Sequence, residues 1–279
     1  MVRKLSNNYT NETKSQVKQA DLVLLVCDFD GTLIPLPQTP DDVHMAETVH
    51  EHLLKLVSLP SVRLGVISAR SPIDLKARLE LPGCHYLCNH GLEISGPDLN
   101  YHNNLAEKLR DDIHRAAHTL RVQLRVEHAL IEDRGLTAAL NYRNVMESQV
   151  SSMLAKARNL LASAVRDRKI RLEQSRRKVE ILPCLDWDRG KAVKMLHHTY
   201  RAENPGAHVL LLYVGDDQMD EPAFRYANQV GLSYRVTQTK ITDARYYLKM
   251  QTEISRVLKI VRENAPDEVA SAPKEAMVL

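Results

Sequence analysis

The chain has 279 residues and is 44% hydrophobic but only 5% aromatic, so one large or two moderate domains are expected, with cores of Leu, Val, Ile and Ala. A net charge of +3 spread over scattered basic residues argues against a nucleic-acid partner. No stretch approaches the roughly 20 apolar residues of a membrane span, and the opening MVRKLSNNYTNETKSQ has no apolar signal segment, so a soluble, cytoplasmic protein with no membrane partner is expected.

Residues 1–20 read as a polar leader, and residues 265–279 read as a frayed tail. DLVLLVCDFD (21–30) is an apolar run ending in acids, the pattern of a buried parallel strand. A helix is predicted over 44–58, from Met45, Val49, Leu53, Leu56 and Val57, and a strand over 62–67. Ser71-Pro72 opens a further helix, with Pro at its first position, and 85–88 is a third strand. This alternation predicts a doubly wound parallel sheet. From 103 the order becomes helix (103–120), two strands (126–132, 136–143), helix (146–165) and two strands (170–174, 178–182). That is a small α/β unit inserted at 98–183, with Gly96-Pro97 and Pro183 at its edges. The core then resumes. It has a helix over 187–201, a strand over 208–217, a helix over 220–227, a strand over 230–236 and a closing helix over 252–263. The core is thus expected at 21–97 and 184–264. Cys27, Cys84, Cys88 and Cys184 lack a second pair at zinc spacing and read as reduced, buried thiols.

Two apolar strands end in acids, Asp28-Phe29-Asp30-Gly31-Thr32 and Gly215-Asp216-Asp217-Gln218-Met219-Asp220. Open α/β sheets bind ligands beyond the carboxyl ends of their strands. Five carboxylates meeting at one rim would repel unless a cation neutralised them, and an all-oxygen cluster suits Mg²⁺. Asp28 and Asp30, two apart, share a face. One could attack phosphorus while the other manages a proton. The plainer alternative for such acids is a turn or helix cap. Ser68, at another strand end, could hold a phosphoryl oxygen or merely cap the helix at Pro72. Lys191, near a helix N-terminus, opposes the macrodipole, which points to function; the alternative is a solvated surface lysine.

In this order, DFDGT, ISAR, Lys191 and GDDQMD resemble the four-motif series of the haloacid dehalogenase (HAD) superfamily. Four fixed positions such as DxDGT match by chance about once per 10⁵ windows. More closely, DFDGTLIPLPQTPDD, VRLGVISARSPIDL, NHGLEISGP, VEHALIEDRGLTAALNYR, KVEILPCLDWDRGKAV and YVGDDQMDEPAF resemble the trehalose-6-phosphate phosphatase family over residues 22–260. Ala69 stands where that family commonly has Gly, and Cys184 in a segment more often charged or apolar.

The resemblance implies a HAD-like core with an inserted cap of the C2 type that closes on the sugar. It implies Asp28 as nucleophile and Asp30 as acid and then base. Mg²⁺ would be held by Asp28, the Asp30 carbonyl and Asp216, supported by Asp217 and Asp220. Thr32, Ser68 and Lys191 would bind phosphoryl oxygens. In LTAALNYR and KVEIL the polar residues alternate with apolar ones. Asn141, Arg143, Lys178 and Glu180, with Glu132, Asn89 and His90, are therefore candidate sugar contacts. The alternative is an ordinary solvated strand face. The implied partners are a small-molecule sugar phosphate, trehalose 6-phosphate first, and a trehalose-6-phosphate synthase of the same pathway. Sucrose 6-phosphate and glycosyl-phosphoglycerates are the other substrates to weigh. A phospho-accepting receiver module shares the acids, hydroxyl and lysine, but not the second acid or the large insertion. A catalytically silent sensor is disfavoured because no motif residue is missing.

Overall fold

β1 (Leu22–Asp28) is buried along its whole length, and its residues divide by parity. Leu22, Leu24 and Val26 join one core cluster and Val23, Leu25 and Cys27 the other, as expected of a strand with helices on both faces. This computed structural model describes residues 8–239 and 241–269. α1 (Thr10–Gln19) precedes β1. After it come α2 (Glu47–Val57), β2 (Val62–Ile67), α3 (Pro72–Leu79), β3 (His85–Cys88), β4 (Glu93–Ser95) and β5 (Asn100–His102). Next are α4 (Asn104–Glu107), α5 (Arg110–Gln123), β6 (Leu130–Asp133), β7 (Ala138–Asn141), α6 (Glu147–Arg166), β8 (Ile170–Ser175) and β9 (Lys178–Pro183). The chain continues through α7 (Arg189–Glu203), β10 (Val209–Gly215), α8 (Glu221–Val230), β11 (Gly231–Val236), β12 (Tyr246–Leu248) and α9 (Ile254–Asn264).

The strands form two sheets. The larger has the order β12-β11-β10-β1-β2-β3-β4-β5. It is parallel from β12 to β3, and β4 and β5 add an antiparallel edge. α1, α2, α3 and α9 pack on one face, α7 and α8 on the other. The strand order reverses between β1 and β10, the place where such sheets open a crevice. The smaller sheet, β6-β7-β9-β8, is antiparallel throughout and has its own core with α5 and α6.

Three expectations need correction. Residues 10–19, read as leader, form α1. Tyr9, Thr13 and Val17, four apart, are buried, and Thr13 Oγ1 lies 2.8 Å from the Tyr234 hydroxyl. That narrow stripe on a polar helix escapes a reading by composition. The division at 97/98 cuts the β4–β5 hairpin, which belongs to the large sheet; strands of three residues are too short to show alternation. The single helix over 103–120 is broken at Lys108–Leu109 into α4, capped by Asn103 Oδ1 on the Leu105 and Ala106 N–H groups, and α5. The tail beyond 269 lies outside the described residues. Cys27, Cys84 and Cys88 are free and buried, and Cys184 is free and half-buried. Among the described residues, no helix is long and apolar enough to cross a membrane.

Candidate active site

β1 and β10 are adjacent and parallel, so their C-terminal ends bring Asp28 next to Asp216 and Asp220, which are far away in sequence. A carboxylate oxygen of each lies within 4.8 Å of the others, and all three residues are buried. Gly31 makes this approach possible. It has φ +96°, and a Cβ there would stand 2.0 Å from Asp216 Oδ2, so only glycine serves.

A buried cation sits among these acids. Arg189, the first residue of α7, places Nη1 2.6 Å from Asp28 Oδ1 and 2.5 Å from Asp220 Oδ1. Asp220 also accepts from the Tyr213 hydroxyl (2.6 Å) and from the Asp216 and Asp217 N–H groups (2.9 Å each). Burial raises its pKa, but Arg189 and these donors outweigh burial and hold it low. Asp28 is less well served. Its Oδ2 is buried with no hydrogen-bond partner within the protein, and burial pushes its carboxyl well up against the pull of Arg189. Burial also raises Asp216, to about 7, with Arg176 opposing. Asp28 and Asp216 are under-neutralised, and with Asp220 they form an all-oxygen, convergent donor set that fits a hard divalent cation.

Asp30 faces the same rim. Arg70 grips it with Nη2 2.7 Å from Oδ1 and Nε 2.9 Å from Oδ2, and Ser68 Oγ donates to its Oδ2 at 3.3 Å. Thr32 is buried with Oγ1 unpartnered within the protein. Asp28, Asp30, Thr32, Ser68, Asp216 and Asp220 thus gather at one end of the sheet. Asp217 lies beside them, but its carboxylate receives Ser175 Oγ and caps the turn at Gln218.

Lys191 is not in this group. Its Nζ donates to the Asp186 carbonyl at 2.8 Å and pairs with the exposed Asp186 carboxylate. Two helical positions separate it from Arg189, so the two side chains leave α7 about 200° apart. The macrodipole argument that singled out Lys191 applies with more force to Arg189 at the first position of the helix. Arg70 is the other cation that motif reading left without a role.

The small sheet lies over this rim. Ala138, Leu140, Val179 and Ile181 enter its core. The alternate residues Asn141, Lys178 and Glu180 line the space facing the aspartates. Arg134 binds Glu132 Oε2 (2.6 Å) and Glu180 Oε2 (2.8 Å). Glu132 accepts from Asn141 Nδ2 at 3.2 Å and lies 3.8 Å from Lys178 Nζ. Burial raises the Glu180 carboxyl, but Arg134 and His90 outweigh it and hold the group far below the carboxylate range. His90 Nε2 is 3.5 Å from Glu180 Oε2, and burial depresses its basicity. Arg143 donates to the Pro37 carbonyl. Asn89 departs from expectation. Its amide is spent on Glu93, the Arg134 carbonyl and the Thr137 hydroxyl, so it bridges the two sheets and lines neither space.

Those two spaces are tight. One, of about 40 Å³, is lined by Asp28, Asp30, His90, Arg143, Lys178, Glu180, Arg189 and Asp216 among others. The other, of about 10 Å³, lies among Asp30, Arg70, Glu132, Arg134, Asn141 and Lys178. Pockets for small molecules run to roughly 300–1,000 Å³, so the small sheet is closed on the rim. A roomier cavity of about 300 Å³ shares His90, Arg189 and Met219 with the first but contains none of the strand-end aspartates.

Comparison with known proteins agrees with this geometry. The chain is 27% identical over 262 residues to a probable trehalose-phosphate phosphatase D of Arabidopsis thaliana, covering 89% of this chain and 69% of that protein. It is 32% identical over 215 residues to a trehalose-phosphate phosphatase of Mycobacterium tuberculosis. That match covers 76% of this chain and 53% of the mycobacterial protein, so the chain spans about half its length. The fold is that of the C-terminal domain of Candida albicans trehalose-6-phosphate phosphatase, with TM-score 0.75, 18% identity, and coverage of 93% of this chain and 98% of that one. The trehalose-phosphatase family model matches residues 26–251, which hold both acidic strand ends, Arg189 and the whole small sheet, and the chain belongs to that family.

Proposed function

We propose that the chain hydrolyses trehalose 6-phosphate to trehalose and phosphate through an aspartyl-phosphate intermediate. The observation that carries this reading is the meeting of Asp28, with one unpartnered carboxylate oxygen, and Asp30 beneath a sheet that turns Asn141, Lys178 and Glu180 toward them. Asp28 attacks phosphorus, and the bond from phosphorus to the sugar oxygen breaks. Asp30, oriented by Arg70 and Ser68, gives the leaving oxygen its proton. It then takes a proton from the water that attacks the phosphoryl group and frees Asp28. Arg189 balances charge on Asp28 and Asp220, Thr32 offers its unpartnered hydroxyl to a phosphoryl oxygen, and Ser68 does the same by turning its one O–H away from Asp30. Mg²⁺, held by Asp28, the Asp30 carbonyl, Asp216 and Asp220, would supply electrostatic stabilisation of the phosphoryl oxygens.

In this reading the small sheet with α5 and α6 acts as a mobile cap, and Glu132, Asn141, Arg143, Lys178, Glu180 and His90 contact the sugar. The spaces of 40 and 10 Å³ support it, because a disaccharide phosphate can enter only if the small sheet lifts. We place the protein in the cytoplasm, downstream of a synthase that supplies the phosphorylated disaccharide. Folded Asp28→Asn should lose at least about 10³-fold in kcat on trehalose 6-phosphate, and EDTA should silence the wild type until Mg²⁺ is restored. Undiminished phosphate release by the folded variant would refute the aspartyl-phosphate route.

A further inference from the structure

Arg176 sits in the turn between β8 and β9, on the small sheet, yet its guanidinium reaches the large one. Nη1 pairs with Asp216 Oδ2 and Nη2 donates to the Asp216 carbonyl at 2.6 Å. The neighbouring Ser175 donates Oγ to Asp217 Oδ2. The tip of one hairpin thus holds both acids that follow β10. Asp216 has little room to turn away, since the same Oδ2 is packed against Gly31. Asp216 is also one of the three carboxylates gathered within 4.8 Å.

We infer that Arg176 stands in for a metal ion on the Asp216 side of this site in the substrate-free protein, and that a divalent cation must displace it, so that metal loading releases the cap. The inference rests on the metal reading given under Proposed function. A metal ion on Asp216 and a guanidinium on the same carboxylate oxygen are like charges a few ångströms apart, and they repel. The ion also gains the unpartnered Oδ2 of Asp28, while Arg176 gains only the Asp216 carbonyl. Once displaced, Arg176 takes with it the ion pair that pins the β8–β9 tip, and the spaces of about 40 and 10 Å³ can widen. An incoming phosphate dianion then offers Arg176 a new partner and draws the hairpin down again. The order is cation first, sugar phosphate second.

A latched state lowers apparent metal affinity by the fraction of molecules that are open. The test is the affinity of the substrate-free chain for Mn²⁺, read by electron paramagnetic resonance. With an open fraction of about one in ten, Arg176→Ala should bind Mn²⁺ about tenfold more tightly than wild type, and Arg176→Lys should fall between. A fluorophore pair introduced by Ser151→Cys on α6 and Lys259→Cys on α9 should move apart when Mn²⁺ is added to wild type. In the Arg176→Ala background it should already be apart. Unchanged or weaker Mn²⁺ binding by Arg176→Ala would overturn the exchange, as would a cap that Mn²⁺ does not move. Wild type that binds no Mn²⁺, or binds it equally after Asp216→Asn, would overturn the metal reading itself and the exchange with it.

Discussion

Arg189 and Lys191 stand two positions apart at the start of α7, and the helix turns one toward the aspartates and the other toward solvent. The difference is one of energy as well as direction. Arg189 is buried between two carboxylates, so removing it leaves buried charge uncompensated, a change that costs about 3–5 kcal/mol in comparable pairs. Lys191 pairs with the exposed Asp186, a contact that solvent screens and that contributes little. Arg189→Ala should therefore lower kcat/KM by about 10²–10³-fold. Lys191→Ala should stay within about threefold of wild type, the usual range for a surface change. Steady-state kinetics on the two purified variants decide it, and the reverse ranking would return the charge-balancing role to Lys191. The acids themselves were legible because a strand ending in DFD or GDD puts carboxylates at the crevice whatever the details. The cation was not, because the phase of a helix start shifts by a residue with its cap. Asp188 Oδ1 accepts from Lys191 N at 2.9 Å, and that cap fixes Arg189 as the inward residue.

At the scale of elements, the hairpins β6–β7 and β8–β9 follow their alternation closely, since one face packs on α5 and α6 and the other meets the rim. Asn141, Lys178 and Glu180 were for that reason readable as an inward polar face. What alternation did not reveal is how those groups are held. Arg134, in the turn between β6 and β7, ties Glu132 to Glu180, and turn residues obey no period. α1, β4 and β5 escaped for related reasons: a three-residue stripe and two three-residue strands carry too little pattern. If the polar face reads the sugar, Arg143→Ala and Glu180→Ala should each raise KM for the sugar phosphate about tenfold, the scale of a lost charged hydrogen bond. The same variants should leave kcat/KM for p-nitrophenyl phosphate nearly unchanged. Parallel kinetics on the two esters check this, and equal losses on both would assign the residues to the reaction centre or the fold.

For the molecule as a whole, the doubly wound order places β1 beside β10 although the inserted unit and most of the core lie between them in sequence, and the small sheet closes the rim from above. Sequence order alone could place the insertion but not its docking. Arg176 on Asp216, Ser175 on Asp217 and Thr137 on Asn89 are contacts between distant segments. The closed rim presents Glu132, Asn141, Arg143, Lys178 and Glu180 together, and a pocket that hydrogen-bonds many hydroxyls penalises any ligand that leaves its groups unpaired. The decisive measurement is therefore kcat/KM for phosphate release, side by side, on trehalose 6-phosphate, sucrose 6-phosphate, a glycosyl-phosphoglycerate and glucose 6-phosphate. Trehalose 6-phosphate should lead, exceeding glucose 6-phosphate by on the order of 10² or more. A clear preference for any of the others would contradict the assignment.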